Sequence, residues 1–345
     1  MTEVFYMKKL ILLLAAVMLM AGCLTACGSD SKETAAAQDT SASGTADGKK
    51  QLKIVTTIFP EYDWVKSILG NNPVGAELKM LLDNGVDLHS YQPTAEDILK
   101  ISTCDLFIYV GGESDKWVAD ALKEATNKDM IVINLLEVLG DSVKEEELVE
   151  GMEGEEEEEE EGEEEGPEYD EHVWLSVKNA EIFVNAISDA IQKLDADNAE
   201  AYKKSTSEYL DKLKALDGEY SKAVSGSSIK TLLFGDRFPF RYLVDDYGLS
   251  YYAAFVGCSA ETEASFETII FLAEKIDELS LHSVLTIEGS NQRIAQTIVQ
   301  NTKSKDQKIL SVNSMQSTTT RDVEGGATYL SIMEKNLEVL KEALQ

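Results

Sequence analysis

Residues 197–224 have the sequence DNAEAYKKSTSEYLDKLKALDGEYSKAV, which contains no proline and no glycine except Gly218. Apolar or aromatic side chains recur at positions 202, 209, 213, 216 and 220, a spacing typical of one helix face. A continuous helix of about 28 residues spans roughly 42 Å at 1.5 Å per residue. The pattern predicts one long, stiff linking helix over residues 196–225, with two shorter helices broken at Gly218 as the alternative.

Short apolar runs rich in β-forming residues lie on both sides of this segment. Four precede it, at residues 53–58, 77–82, 106–110 and 131–135, and four follow it, at 229–234, 250–256, 283–287 and 308–312. Amphipathic stretches such as 94–102, 266–279 and 293–301 lie between consecutive runs. Alternating strands and helices predict parallel sheets covered on both faces. We therefore expect an α/β fold of two similar lobes, residues 51–195 and 226–345, each a four-stranded, mainly parallel sheet flanked by helices.

Charge is unevenly distributed along the chain. The 345 residues carry 31 Lys and Arg against 63 Asp and Glu, and this net charge of −32 argues against nucleic-acid binding. Residues 141–171 alone contain nineteen acidic residues against the single Lys144. Such a run repels itself and should form a solvated acidic loop within the first lobe. The loop either attracts cations toward a binding site or is a spacer without a role.

The first residues have the features of a secretory signal. Lys8 and Lys9 precede an apolar run too short to span a membrane stably, and small residues follow it. Leu24-Thr25-Ala26-Cys27 resembles a bacterial lipobox, whose cysteine is lipidated and becomes the new N-terminus. We therefore expect a lipoprotein signal peptide at 1–26 and lipidation at Cys27. Cys23 is a second candidate, and a freely secreted protein is the alternative.

Residues 27–50 are rich in Ser, Ala, Thr, Asp and Gly, and this composition predicts a flexible tether. A lipidated cysteine at its start would hold a soluble domain on the extracytoplasmic face of the cell membrane. No later segment approaches 18 consecutive apolar residues, so the sequence predicts no other membrane span.

Three histidines occur in the chain, and two of them follow predicted strands. Ligands of open α/β sheets bind outside the carboxyl ends of the strands. His89 follows the second predicted strand and His172 the fourth, each two residues after an Asp, whereas His282 precedes a strand and should be structural or exposed. Imidazole is a common zinc ligand, and a carboxylate can orient its ring. We therefore predict that His89 and His172 bind one metal ion, with ordinary loop histidines as the alternative.

The histidine motifs resemble those of a known family. Asp87-Leu88-His89-Ser90-Tyr91-Gln92-Pro93-Thr94 resembles the D-P-H-S-Y-E-P-T element of the zinc and manganese substrate-binding lipoproteins of ABC importers. Asp170-Glu171-His172-Val173-Trp174-Leu175 is similar to their D-P-H-I-W-L, and residues 329–337 resemble their final helix. The resemblance runs from about residue 52 to the C-terminus. It implies two α/β lobes joined by a rigid helix, with the metal held between them.

The resemblance also implies a function. The protein would be the extracytoplasmic component that captures Zn²⁺, or Mn²⁺ as the alternative, and delivers it to a membrane permease. A permease and a cytoplasmic ATPase are implied as partners, because the chain has no phosphate-binding loop for ATP. We expect a monomer.

Two ligand positions of the family are changed in this sequence. The place of the usual third ligand holds Arg237, whose guanidinium cannot ligate a cation. The usual final Asp aligns with Asn313, a neutral oxygen donor. Asp236 and Glu288 are the nearest substitutes, and we predict them as metal ligands, with ion pairing to Arg237 as the equal alternative.

Cys258 and Glu261 leave the second strand of the second lobe at the same end. A thiolate at Cys258 would suit zinc, whereas the alternative is a small buried cysteine.

Two other functions are weighed against metal capture for transport. A zinc-dependent hydrolase is disfavoured because the chain has no H-E-x-x-H and no G-x-S-x-G motif. A dinucleotide-binding enzyme is also disfavoured, because Gly111-Gly112 lacks the glycine spacing of such a site. We therefore expect no enzyme. A surface metal buffer or adhesin with the same fold is the other alternative, and a neighbouring pair of permease and ATPase genes would distinguish it from an importer.

Overall fold

The computed structural model describes residues 51–153, 168–259 and 263–345. The predicted signal peptide, tether and Cys27, most of the glutamate run of the acidic loop, and Glu261 therefore lie outside the described residues. Within the described ranges, no helix is long and apolar enough to cross a membrane.

The first lobe contains the strands that the sequence predicts, each shorter by one or two residues at its carboxyl end. Its elements are, in chain order, β1 (Lys53–Thr56), α1 (Phe59–Leu69), β2 (Glu77–Met80), α2 (Ala95–Thr103), β3 (Leu106–Tyr109), α3 (Val118–Lys123), β4 (Ile131–Asn134) and α4 (Leu135–Leu139). The strands pair in parallel in the order β2-β1-β3-β4. The crossover between β1 and its two neighbours places the carboxyl ends of β1, β2 and β3 at one edge.

Two long helices follow the first sheet. They are α5 (Val177–Leu194) and α6 (Ala199–Gly226), joined by a short 3₁₀ turn, Ala196–Asn198. Helix α6 runs through Gly218 without a break, so the prediction of one linking helix is confirmed and the broken alternative is wrong. Its buried side chains include Tyr202, Tyr209, Leu213, Leu216 and Tyr220, the positions that the periodicity indicates.

The second lobe repeats the architecture of the first. Its elements are β5 (Thr231–Phe238), α7 (Arg241–Tyr247), β6 (Ser250–Val256), α8 (Phe266–Leu279), β7 (Ser283–Ile287), α9 (Arg293–Asn301), β8 (Lys308–Val312), α10 (Thr320–Glu324) and α11 (Tyr329–Ala343). The parallel strand order is β6-β5-β7-β8, which has the same connectivity as the first sheet. The register of β5 against β6 shifts between Phe234 and Arg237. The predicted fold class is therefore confirmed.

The interior is continuous between the lobes. One cluster of buried apolar side chains extends from the first sheet through α5 and α6 to α11 and the second sheet. Buried hydrogen bonds join the same parts: the Trp174 indole N–H donates to the Ser314 carbonyl (2.8 Å), and the Tyr329 hydroxyl donates to the Trp174 carbonyl (2.8 Å). Closely packed interiors resist shear, so this core favours a fixed arrangement of the lobes.

The described start of the acidic loop reaches the second lobe. The Glu153 backbone N–H donates to the Ala254 carbonyl of β6 (2.9 Å). The Glu153 carboxylate accepts hydrogen bonds from the Ser265 backbone N–H (2.7 Å) and the Thr268 hydroxyl (2.6 Å) at the start of α8. The described start of the loop therefore contacts the second lobe through Glu153, and the assignment of the whole loop to the first lobe stays a prediction. The predicted domain boundaries stay predictions.

Candidate metal centre

His89 lies in a short 3₁₀ turn, Leu88–Ser90, beyond the end of β2. The Asp87 carboxylate caps this turn by accepting the His89 backbone N–H (3.1 Å). The His89 Nδ1 atom lies 2.7 Å from the Ser114 hydroxyl, which follows β3. The turn and the hydroxyl together fix the direction of the imidazole ring.

His172 is fully buried at the start of a second 3₁₀ turn, Val173–Leu175. The Asp170 carboxylate accepts the His172 backbone N–H (2.8 Å) and lies 3.1 Å from the ring Nδ1. An Asp two residues before each histidine therefore has a local role, since it closes the turn around the following backbone N–H. At His172 the same carboxylate also orients the ring.

The structure brings the two predicted histidines together. Their Nε2 atoms are 3.1 Å apart and their ring centroids 5.1 Å apart. The side-chain amide of Gln316 lies 2.9 Å from Nε2 of His89 and 2.8 Å from Nε2 of His172. If the Gln316 amide N–H groups donate to both rings, each Nε2 is an acceptor and each ring carries its proton on Nδ1. That tautomer directs two nitrogen lone pairs at one point.

Gln316 is a site residue that sequence reasoning missed. The family resemblance places Asn313 at the position of the usual final ligand. However, the Asn313 side-chain oxygen accepts the Met315 backbone N–H (2.8 Å) and so closes its own turn. Gln316 lies three residues further along the loop that follows β8. Both residues belong to one short loop after a strand exit, and only the path of that loop decides which of them points into the centre.

Cys258 also belongs to this cluster. Its Sγ atom and one ring nitrogen from each of His89 and His172 lie within 4.8 Å of one another. Gly257 makes the approach feasible, because a Cβ atom there would stand 2.8 Å from Cε1 of His172. Any larger residue at position 257 would push the loop away from the imidazole. Burial and nearby carboxylates, Glu146 first among them, raise the pKa of the Cys258 thiol well above its usual value.

The other two predicted ligands make hydrogen bonds outside this cluster. The Asp236 carboxylate lies 3.3 Å from the Ile287 backbone N–H and 3.0 Å from that of Arg237. The Glu288 carboxylate accepts the Ser314 backbone N–H (2.6 Å) and the Ser314 hydroxyl (2.8 Å). The roles of Asp236 and Glu288 as ligands stay predictions.

Arg237 pairs with Asp87 of the first lobe, directly beside the turn that carries His89. The other guanidinium nitrogen lies 3.4 Å from the Ser259 carbonyl, one residue after Cys258. The sequence offered Asp236 and Glu288 as ion-pair partners of this arginine, whereas among the described residues its guanidinium pairs with Asp87 of the opposite lobe. Arg237 therefore links both lobes at the centre.

Buried carboxyl groups lie behind the histidines. Oε1 of Glu171 accepts the Ser114 backbone N–H (2.8 Å), a contact that requires glycine at 112, where a Cβ atom would overlap Glu171. Oε2 of Glu171 has no hydrogen-bond partner among the described residues and lies 3.7 Å from Nδ1 of His89. Burial raises the pKa of Glu171, and it raises the pKa of Asp115 to about 7 with a contribution from Glu171.

Burial has the opposite effect on His89. Desolvation lowers its pKa well below the usual histidine value, and the neighbouring His172 and Arg237 add to the decrease. His89 is therefore held in the neutral form that ligates metals. The third histidine, His282, is exposed at the other end of β7, as the sequence predicts.

The chain is similar to a protein family and to several known zinc-binding proteins. The protein-family model described as the periplasmic zinc-uptake complex component A matches residues 54–343. The zinc-binding lipoprotein AdcA of Streptococcus pneumoniae serotype 4 is 32% identical over 338 residues, 97% of this chain and 61% of the relative. AdcA of Streptococcus pyogenes is matched over 56% of its length, so the chain spans little more than half of these relatives.

Other relatives are matched over nearly their whole length. The high-affinity zinc uptake system protein ZnuA of Bacillus subtilis is 31% identical over 90% of this chain and 93% of the relative. Among solved structures, the Zn(II)-bound ZnuA-like domain of Streptococcus pneumoniae AdcA superposes with a TM-score of 0.67 at 29% identity, covering 86% of this chain and 99% of that one. The laminin-binding protein Lmb of Streptococcus agalactiae, at 21% identity and a TM-score of 0.67, shares the fold alone.

Proposed function

The chain belongs to the zinc-uptake complex component A family, and from that premise we propose that it captures Zn²⁺ outside the cytoplasm for an ABC importer. The family consists of metal-binding components of transporters, so binding followed by release replaces catalysis. The ion would be held where the two lobes meet and then delivered to a membrane permease that a cytoplasmic ATPase drives. A lipid anchor at Cys27 would hold the protein at the membrane surface.

The observation that carries the proposal is the pair of Nε2 atoms 3.1 Å apart. In a tetrahedral zinc site with Zn–N bonds of 2.0–2.1 Å, two ligand nitrogens are about 3.3 Å apart. The two imidazoles therefore need almost no movement to share one zinc ion. Residues from both strand-exit loops and from the loop after β8 converge there, which agrees with capture between the lobes.

The chemistry of the donors favours Zn²⁺ over Mn²⁺. Imidazole nitrogen suits zinc, whereas manganese prefers carboxylate, carbonyl and water oxygens. The Asp170 carboxylate beside Nδ1 of His172 raises the basicity of Nε2, as orienting carboxylates do in zinc sites. The neighbouring buried carboxyl groups of Asp170 and Glu171 give the centre a negative potential that attracts a cation.

Metal analysis and competitive titration of the purified protein test the proposal. The chain should bind one Zn²⁺ tightly, and His89→Ala or His172→Ala should each weaken binding by more than about 100-fold, beyond the 10–100-fold typical of losing a ligand-orienting partner. His282→Ala is the matched control, because that histidine is exposed and precedes β7, at the opposite end of the strand from the loops that form the centre. Unchanged zinc affinity in both His89→Ala and His172→Ala would show that the ion is held elsewhere.

A further inference from the structure

We propose that Cys258 is a metal ligand, so that the second lobe contributes a thiolate to the centre in the place of an imidazole. This inference rests on the proposed function, because it concerns the composition of the same site. It gives the centre an N₂S core of His89, His172 and Cys258. Soft sulfur would bias the site toward Zn²⁺ and away from Mn²⁺ more strongly than imidazoles alone.

The geometry of the three donor atoms supports the inference. Among the described residues, His89, His172 and Cys258 form the group whose donor atoms lie within 4.8 Å of one another. A tetrahedral zinc ion with Zn–N of 2.0–2.1 Å and Zn–S of 2.3 Å requires N···S distances of about 3.6 Å. A movement of the Cys258 side chain on the order of 1 Å, well within rotamer and loop adjustment, closes that difference.

The loop that carries Cys258 is fixed from several directions. Gly257 lies directly against the His172 ring, at a distance that leaves no room for a side chain. The Glu146 carboxylate, from the start of the acidic loop, accepts a hydrogen bond from the Cys258 backbone N–H. Arg237 reaches the Ser259 carbonyl (3.4 Å) while pairing with Asp87. Contacts to a neighbour on each side of the cysteine hold its thiol near the imidazoles.

Arg237 explains why the ligand comes from a different position. A guanidinium at this place cannot bind a cation, but it fastens the Cys258 loop to the turn that carries His89. We therefore assign Arg237 as a positioning residue. The role of ligand shifts from the end of β5 to the end of the adjacent strand β6, whose exit lies beside it in the sheet.

The binding step is balanced by loss of one proton. Formation of the metal–sulfur bond replaces the S–H bond of Cys258, and the proton passes to water. No oxidant or reductant takes part. The dication offsets the negative charge of the thiolate, which forms beside the Glu146 carboxylate that accepts the Cys258 backbone N–H.

Cobalt substitution tests the assignment in the full chain. Co²⁺ bound to a thiolate has an intense sulfur-to-cobalt charge-transfer band in the near ultraviolet, and Co²⁺ bound by nitrogen and oxygen lacks it. The unchanged chain should bind one Co²⁺ and show this band. Cys258→Ser should abolish the band and weaken Co²⁺ and Zn²⁺ binding by about 100-fold or more. Cys104→Ser is the matched control, because Cys104 is buried in the first lobe and should leave band and affinity unchanged.

The outcomes separate the two proposals. Tight binding of one Co²⁺ without a sulfur band in the unchanged chain overturns the role of Cys258 and leaves metal capture intact. Failure of the unchanged chain to bind Co²⁺ and Zn²⁺ stoichiometrically overturns both. Far-ultraviolet circular dichroism of Cys258→Ser excludes misfolding, and the spectrum of the unchanged chain decides the assignment without any variant.

Discussion

In the first lobe both imidazoles are oriented by hydrogen bonds at Nδ1 and backed by buried carboxyl groups, whereas the second lobe presents a thiol, a neutral amide and an arginine. The two lobes share the same sheet connectivity, so the difference lies in the loops and not in the fold. On the proposed function, the first lobe would attract and bind the dication, and the second lobe would set which ion is preferred.

Among changes that leave His89, His172 and Cys258 in place, the largest loss of zinc affinity is expected from removing a charge on the first-lobe side. Asp170→Asn replaces the carboxylate that orients His172 by an amide, which can donate to Nδ1 and so favour the tautomer with a protonated Nε2. Zinc affinity should fall about 10–100-fold. Competition with a metal chelator measures the change. An affinity equal to that of the unchanged chain would mean that the first-lobe carboxylates do not prepare the site.

Ser114→Ala is the matched comparison for that variant. It removes a neutral partner from Nδ1 of His89 instead of a charged one. Since hydrogen bonds to ionised groups are roughly twice as strong as neutral ones, its effect should be clearly smaller than that of Asp170→Asn.

Adding a negative charge to the second lobe should make its contribution to metal binding more like that of the first lobe. Gln316→Glu would place a carboxylate oxygen 2.8–2.9 Å from both Nε2 atoms, where the amide lies now. Zinc affinity should increase roughly tenfold, and the preference for zinc over manganese should decrease, because an ionised oxygen donor is stronger and suits manganese. Titration with each metal measures both changes, and Gln316→Met provides the apolar control. Equal zinc affinity in Gln316→Glu and Gln316→Met would mean that Gln316 does not take part in metal binding.

A large part of the pH dependence of stability should come from Glu61 in the first lobe. Burial, with a contribution from Asp115, raises the pKa of Glu61 to about 8. A carboxyl group with a raised folded-state pKa binds its proton more tightly in the native state, so its contribution to stability is full below about pH 4.5 and is lost as pH rises through about 8. In that window the metal-free chain should lose up to about 1.4 kcal/mol of unfolding free energy per pH unit from this group.

Glu61→Gln tests that expectation, because the amide cannot titrate. Denaturant unfolding at a series of pH values, with a chelator present, should give a flatter profile in the variant. Asp115 keeps part of the slope, since burial raises its pKa in the same direction. Identical slopes in the variant and the unchanged chain would contradict the assignment.

The smallest effect, on the free energy of unfolding, is expected from the ion pair of Arg237 and Asp87 that links the lobes. Arg237 and Asp87 are each about 20% exposed, so their ion pair should contribute about 1 kcal/mol or less to the unfolding free energy. A double-mutant cycle of Arg237→Gln and Asp87→Asn isolates the coupling energy, which should decrease at high salt. A coupling of zero at low salt would mean that the pair does not fasten the lobes.

Much of the fold could be predicted because it depends on local patterns. Alternating apolar runs and amphipathic stretches indicated the eight strands, and the spacing of Tyr202, Tyr209 and Tyr220 indicated the buried face of α6. The longest disagreement is at β5, predicted to end at residue 234 and observed to continue to Phe238. Gly235, Asp236 and Arg237 are not typical strand residues, and pairing with β6 carries the strand through them across a register shift.

The meeting of the two histidines could also be predicted. His89 and His172 follow strand exits at one edge of a parallel sheet, and topology alone brings such positions together. Strand topology did not identify Gln316 and Cys258 as site residues, because a neutral amide and a lone cysteine have no distinctive sequence pattern. Which side chain of a loop faces inward depends on φ and ψ within that loop.

The sequence by itself determined the two α/β lobes and predicted a long linking helix and the two imidazoles, since periodicity and strand order act over short distances or through a regular sheet. The structure decided that this helix continues through Gly218. The tertiary structure decided the contact of Glu153 with the second lobe, the pairing of Arg237 with Asp87 and the approach of Cys258 to His172. These contacts join residues that are far apart in the chain and depend on close packing, where a single Cβ atom at Gly257 would exclude the loop.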